Sequence, residues 1–290
     1  MTKGYILLIG EPSDVVLQYF GSYLLEQNCN VVYINQNLLG VTVNLDSNYW
    51  YLPNFGKVSH TEILGVYNRC MGFDPLAKIA SAVYNANIFL SGMLDYEYTL
   101  VVNRPSAMLS NNSKPLQNYL LRTFGLEHPE YICVANAVIV QHSCNIIYKS
   151  ICSIHSIVNK VQTANKSFVK EPLLLQQAIN GYNVRVHVVG KSLFATKITA
   201  KQIDYRYCKY NKHEVYNLPA EIKSICYQIA GKLQLLFCGI DLIFMQGKYY
   251  FLEVNTAPGY NYYEQSFPES DISAALYKLL IGEKNDFATQ

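Results

Sequence analysis

The chain opens on an apolar run, Tyr5 to Ile9, that reads as a buried strand. Asp14 to Gln27 follows at helical spacing, and Val31 to Ile34 is a second short apolar run. This is the β-α-β start of an α/β unit. Positions 36 to 60 show no sustained period and read as irregular. Ile63 to Tyr67 predicts a strand, Pro75 to Leu90 a helix, and Leu100 to Pro105 a strand that the proline ends. A short helix is expected from Lys114 to Phe124, stopped by Gly125. Three apolar strands come next, at Tyr131 to Ala135, Asn145 to Ser150 and Val184 to Val189. Ile222, Ile225, Ile229, Leu233 and Leu236 recur at spacings of three and four, predicting a helix from Pro219 to Leu236 with Pro219 in its first position. Cys238 to Met245 and Tyr249 to Asn255 form a hairpin. Ile272 to Leu280 is a last helix, capped by Ser270 or Asp271.

The informative positions are the polar ones that break apolar strands. If Gln246, Gly247 and Lys248 make the hairpin turn, Met245 faces Tyr249. Ile240, Leu242 and Phe244 then face Val254, Leu252 and Tyr250 on one apolar side. The other side carries Asp241 opposite Glu253 and Ile243 opposite Phe251, with Asn255 two residues beyond Glu253. A two-residue turn would put the two acids on opposite faces. Carboxylates directly across a ladder, with β-carbons roughly 5 Å apart, repel unless a cation lies between them. Two carboxylates and an amide form an all-oxygen set suited to Mg²⁺, and the plain alternative is a solvated second face. Lys149 interrupts Ile146 to Ser150, and Arg185 and His187 share one face of Asn183 to Val189. Singly, each cation could snorkel from an edge strand. Together with Lys114 and the acids they describe a site for a polyphosphate and Mg²⁺. Ser150 to Ser156 offers hydroxyls and backbone N–H groups for phosphate, though without glycine.

Composition narrows the class. A chain of 290 residues, half of them apolar and 15% charged, is globular and long enough for more than one folding unit. A net charge of +2 without a basic block gives no support for a nucleic-acid partner. The eight cysteines form no Cys-x-x-Cys pair and several lie in apolar runs, so reduced, buried thiols are expected. The first apolar run is too short for a signal sequence and no run reaches membrane-spanning length; the expectation is a soluble, cytoplasmic protein without a membrane partner. Gly10 to Asp14 lacks the glycine-rich dinucleotide fingerprint, and Ser13 or Asp14 as a helix cap explains that turn. No nucleophile elbow is present.

Taken in order, Val101–Pro105, Asn112–Pro115, Tyr148–Ser150, Gly181–Val186, Asp204–Arg206, Gly239–Asp241 and Glu253–Gly259 resemble the motifs of ATP-grasp ligases. The resemblance is to the glutamate-ligase-like branch, which includes ribosomal-protein glutamate ligases and peptide-modifying maturases, with glutathione synthetases more distant. It implies an α/β (in part α+β) chain with an N-terminal preceding domain at 1–105, a central subdomain at 106–178 and a C-terminal subdomain at 179–290. The nucleotide would be held between the last two. Lys114 and Lys149 would then meet phosphates, and Ser150, Ser153 and Ser156 would belong to the loop over them. Gln176, Gln177, Ala178 and Ile179 would form the hinge at adenine, with Asn183 beside it. Arg185 and Arg206 would be cations near the transferred phosphoryl group. Asp241, Glu253 and Asn255 would hold Mg²⁺, as two ions with Mn²⁺ able to substitute.

The implied activity is ATP-dependent ligation of a carboxylate to an amine through an acyl phosphate. The acceptor would be an amino acid, a peptide or a protein tail, and self-association is left open. The alternatives are an ATP-grasp kinase acting on a small molecule and a non-catalytic nucleotide-binding protein of a peptide-modification pathway. Four positions depart from the family pattern. Asn183 and Gln177 stand where or near where acids are usual, His155 where arginine is frequent, and Thr256 where proline is common.

Overall fold

The computed structural model describes residues 4–38, 44–45, 49–52, 56–70, 81–97, 99–134, 146–151, 158–160, 172–199, 212–267 and 269–282. Strand β1 (Tyr5–Gly10) leads into α1 (Val15–Glu26) and β2 (Asn30–Asn35). Asp14 is the helix cap, its Oδ1 accepting the N–H groups of Val16 at 2.9 Å and Leu17 at 3.3 Å. The stretch expected to be irregular contains a small antiparallel sheet of β3 (Asn44–Leu45), β4 (Tyr49–Leu52) and β5 (Gly56–Ser59). These strands are too short for their period to show, and only Trp50 and Leu52 reveal it, both buried and alternating with half-buried Tyr49 and Tyr51.

Strand β6 (Ile63–Asn68), α2 (Ser81–Tyr96) and β7 (Val101–Val102) complete a parallel sheet in the order β2-β1-β6-β7. Helix α2 runs past Leu90, where it was expected to stop, because Leu90 and Leu94 lie one turn apart and are both buried. Ile6 and Leu8 pack with α1 on one face, while Leu7 and Ile9 pack with Trp50, Leu90 and Leu94 on the other. Burial on both faces accounts for the unbroken apolar run of β1.

Pro105 starts helix α3 (Pro105–Met108) rather than ending a long strand, as suits a residue with no N–H to donate. Helix α4 (Lys114–Leu121) is capped by Ser113 and stops short of Phe124. A four-stranded antiparallel sheet follows, of β8 (Tyr131–Val134), β9 (Ile146–Ser150), β10 (Val158–Lys160) and β11 (Leu173–Gln177), in the order β10-β9-β11-β8.

The last sheet has five antiparallel strands: β12 (Tyr182–Val189), β13 (Ser192–Thr199), β14 (Lys212–Val215), β15 (Phe237–Met245) and β16 (Lys248–Asn255), in the order β14-β13-β12-β15-β16. Between β14 and β15 lies α5 (Ala220–Lys232). Pro219 occupies its cap rather than its first turn. The helix ends before Leu236 because Gln234 turns into the left-handed region at φ +55°. Val184, Val186, Ile240, Leu242 and Val254 bury one sheet face against Ile225, Cys226 and Ile229 of α5. The opposite face is left for polar side chains. Helices α6 (Asn261–Ser266) and α7 (Ile272–Leu280) close the chain, α7 being capped by Asp271. Residues of α7 join Phe237 and Tyr260 in one core with β1 and α1.

Cys29, Cys226 and Cys238 are buried as expected. Cys133 is exposed, because β8 is the sheet edge, and corrects that expectation in part. Among the described residues, no helix is long and apolar enough to cross a membrane.

Candidate active site

The acidic hairpin forms by a different route from the expected one. Gln246 and Gly247, at φ +50° and +83°, make a two-residue turn that sets Met245 against Lys248. Alone, that register would separate the two acids. A bulge corrects it: Leu242 pairs with Phe251 and Asp241 with Glu253, so Leu252 is the extra residue. The core-facing residues of β16 are therefore Tyr249, Phe251 and Val254, in place of the expected Tyr250, Leu252 and Val254. Phe244 faces Tyr249, and Ile243 faces Tyr250. Phe251 and Val254 are three apart, so both reach the core only if one residue between them is absorbed.

Each acid meets a cation from another element. Register places Arg185 of β12 beside Asp241, with Nη1 2.6 Å from Oδ2. The guanidinium lies over Gly239, where an added Cβ would come within 2.5 Å of Nη2. Glu253 Oε2 lies 3.6 Å from Lys114 Nζ on the first turn of α4. Gln117 docks that helix, donating to the Val254 carbonyl at 2.8 Å and accepting the Val254 N–H at 3.0 Å. The Lys114 N–H donates to the Ile151 carbonyl at 3.0 Å, which ties the start of α4 to the end of β9. Asn255 follows on the same strand, its Oδ1 accepting the Ala257 N–H at 3.1 Å with a second lone pair left over. All three cations, Lys114, Lys149 and Arg185, are buried.

The four-stranded sheet presents a second polar face. Lys149 lies opposite Leu174 and Gln176 opposite Ile147, so these four side chains share one side, and all are buried. Among the described residues, the Gln176 side-chain oxygen and nitrogen have no hydrogen-bond partner. An unsatisfied buried polar group costs about 1–3 kcal/mol, so this face suits a ligand with a hydrogen-bonding edge, such as a nucleobase. Gln177 points to the other side and is exposed, its N–H donating to the Glu130 carbonyl at 2.8 Å. Ala178 and Ile179 are half-buried in irregular chain, and half-buried Asn183 shares the Arg185 face. Ser150 is half-buried and alternates away from Lys149. Ser153, Ser156, Arg206 and His155 lie outside the described residues.

Three further residues without an assigned role in the sequence motifs belong to the site. His187 is fully buried, with Nε2 3.4 Å from Arg185 Nε and 3.2 Å from the Gly259 carbonyl. Burial, then the neighbouring Arg185 charge, holds its pKa well below the ordinary imidazole range, so the ring is neutral. Gln117 and Asn103 both bind the backbone at the open end of the acidic hairpin, away from its turn. A polar side chain in a buried segment was the signal for His187 and Gln117, and Asn103 also lies within the Val101–Pro105 motif.

Residues 130–279 match the model of the RimK-like ATP-grasp domain, just over half of the chain. The chain belongs to the RimK-like ATP-grasp family. Lys114 stands before the matched span. No curated protein sequence matches the chain. Solved ATP-grasp structures share the fold along its whole length. The ligase PsnB, complexed with a phosphomimetic variant of a minimal precursor, Mg and ADP, is 21% identical with a TM-score of 0.79, covering 97% of this chain and 99% of its own. The macrocyclase MdnC of Microcystis aeruginosa MRC, bound with precursor peptide MdnA, is 17% identical with a TM-score of 0.75, covering 96% and 99%. The D-alanine–D-alanine ligase of Bacillus anthracis, complexed with ATP, is 15% identical with a TM-score of 0.62, covering 97% and 96%.

ATP-dependent carboxylate–amine ligation, expected from the motifs, is consistent with these ATP-grasp ligases. ATP-grasp enzymes use ATP and Mg²⁺, and the donor set fits that ion. Among the described residues no group of three or more His, Cys, Asp and Glu side chains could hold a metal. A cation here would take two carboxylates, an amide and oxygens of the ligand, the sharing that Mg²⁺ favours.

Proposed function

We propose that this ATP-grasp chain joins a carboxylate of a peptide to an amine. One observation carries the reading: Asp241 and Glu253 oppose each other on the polar face of the five-stranded sheet, each beside a buried cation from a different element. Two acids and two cations gathered away from the core form a charge-balanced site that phosphate oxygens can enter by exchanging partners. The peptide substrate is supported by the precursor peptides seen with PsnB and MdnC.

Asp241, Glu253 and Asn255 would hold Mg²⁺, two ions with Mn²⁺ able to replace them; bound there, the metal neutralises phosphate charge. Lys114 and Lys149 orient and neutralise the phosphates of ATP, with Ser153 and Ser156 covering them and Ser150, on the other side of β9 from Lys149, leading into that loop. Gln176, Ala178, Ile179 and Asn183 hold the base and sugar end, to which Gln177, its side chain turned to the other side, adds only backbone. Arg185 and Arg206 place positive charge where the phosphoryl group passes to the substrate. A carboxylate oxygen takes the γ-phosphoryl group and ADP departs. The amine nitrogen then bonds to the acyl carbon as the carbon–oxygen bond breaks, phosphate leaves with that electron pair, and the nitrogen gives up one proton.

The test offers peptides carrying acidic side chains, with ATP and Mg²⁺, and follows ADP release with hydroxylamine present. Trapped hydroxamate is the expected result; ADP without hydroxamate would point to a kinase. Asp241→Asn and Glu253→Gln, which keep size and shape, should each lower Mg²⁺-dependent ADP formation by at least about a hundredfold while circular dichroism stays unchanged. Full activity in either variant would remove the metal assignment.

A further inference from the structure

Among the described residues, five of the six buried side-chain atoms left without a hydrogen-bond partner belong to Gln176, His187 and His213, on the polar faces of the four-stranded and five-stranded antiparallel sheets. His187 is the one among them that touches the charged centre. Its Nε2 lies between the Arg185 Nε–H at 3.4 Å and the Gly259 carbonyl at 3.2 Å, and its Nδ1 has no partner among the described residues. A neutral imidazole nitrogen either carries a proton or offers a lone pair. With a proton, Nε2 donates to Gly259 and presents N–H to N–H toward Arg185. With a lone pair, it accepts from Arg185 and leaves the Gly259 carbonyl without this donor. The two neighbours therefore compete for one atom.

We infer that His187 is a positioning residue, which links the Arg185 guanidinium to the loop following the acidic strand. The setting confines Arg185 from three sides. Asp241 takes Nη1 at 2.6 Å, Gly239 leaves no room beneath the guanidinium, and His187 stands at Nε. The loop is itself fixed to the N-terminal sheet, since Asn103 donates to the Thr256 carbonyl at 2.8 Å and Arg69 to the Pro258 carbonyl at 3.1 Å. His187 Nε2 reaches the same loop at Gly259 when it carries the proton and accepts from Arg185 when it does not, so it is the contact of this loop that extends to the charged centre. Its lone orphaned Nδ1 is consistent with a ring retained for what Nε2 does, since buried polar atoms without partners are uncommon. The wall opposite is aromatic, the Tyr263 ring standing 5.0 Å away edge-on, which restricts the imidazole to this orientation.

This inference rests on the role given to Arg185 in the proposed function, so its test has one arm that needs no turnover. In protein labelled with ¹⁵N at histidine, the His187 ring signals are identified by their loss in His187→Gln. Arg185→Met, which keeps length and removes the Nε–H, should shift the His187 Nε2 resonance and leave those of the distant His60 and His128 in place. An unchanged His187 signal in folded Arg185→Met would overturn the contact.

The second arm is kinetic. Gln reaches the Nε2 position with a polar atom, and Leu does not. His187→Leu should lower kcat for ADP formation by about tenfold to a hundredfold, the scale of one hydrogen bond to a charged group, with KM for ATP within about twofold. His187→Gln should recover most of that loss. Equal losses in both variants, or a loss that follows only the folded fraction, would overturn the positioning role. If wild-type protein turns over no peptide, the proposed function fails, and the ¹⁵N arm still decides whether His187 and Arg185 are joined.

Discussion

Gly239 shows how a single missing side chain shapes the site. Its backbone lies against the Arg185 guanidinium, and an alanine methyl would fall 2.5 Å from Nη2 and 2.6 Å from Cζ. Arg185 is buried and already paired with Asp241, so it can yield only by giving up that contact. Gly239→Ala should destabilise the fold by about 1–3 kcal/mol, the usual cost of overpacking, and should lower turnover more than it lowers ATP affinity. Thermal unfolding and ADP-release kinetics measure both. His187 gives a pH signature at the same scale. Its folded-state pKa is depressed, so at high pH both folded and unfolded rings are neutral and the shift contributes nothing. As pH falls through about 6.5 the unfolded ring takes a proton that the folded one refuses, and stability drops by up to about 1.4 kcal/mol per pH unit until the folded pKa is reached. His187→Gln should flatten the fall in urea-unfolding free energy between pH 6.5 and 5 by that slope. An unchanged slope would mean that the buried ring gains a proton more readily than its surroundings suggest.

At the level of elements, the hairpin separates what the sequence reveals from what it hides. The interruptions were legible: Lys149, Arg185, Asp241 and Glu253 each break an apolar strand, and charge there requires a partner. The facing of Asp241 and Glu253 was legible as well, but its cause was not. A three-residue turn and a two-residue turn with a bulge at Leu252 give the same acidic rung, and only packing distinguishes them. Tyr249, Tyr250, Phe251 and Leu252 are all apolar enough for the core, so periodicity could not say which pair would be buried. The strands β3, β4, β5, β10, β11, β13 and β14 were missed for related reasons, being short or polar at one end. The turn itself is open to a check. Gln246 stands at φ +50° where asparagine is favoured, and Gly247 at +83°. Gln246→Asn should stabilise the protein by a few tenths to about 1 kcal/mol, and Gly247→Ala should destabilise it by about 1–2 kcal/mol. Chemical denaturation of the two variants resolves effects of that size.

Across the whole molecule, two amides fasten the acidic hairpin to the rest of the chain. Gln117 grips Val254 from α4. Asn103, just after β7, uses its full capacity: Nδ2 donates to the Phe237 carbonyl at 2.6 Å and the Thr256 carbonyl at 2.8 Å, while Oδ1 accepts from Leu236 at 2.9 Å and Phe237 at 3.1 Å. One buried side chain thus holds the entry of β15 and the exit of β16 against the parallel sheet, and the spacing of the acids depends on both ends. Asn103→Asp keeps the shape but turns a donor group into an acceptor facing two carbonyls, inside a site with almost no access to water. An uncompensated buried charge costs roughly 3–5 kcal/mol, and the new carboxyl lowers that cost by binding a proton. Its folded-state pKa would be raised above the unfolded value near about 3.9, so the folded variant holds the extra proton and gains stability as pH falls toward that value. The gap in unfolding free energy between Asn103→Asp and wild type should therefore be largest at pH 7 and narrow steadily toward pH 5. A gap independent of pH would show that the amide's donors are replaceable by water and that the hairpin is held by packing alone.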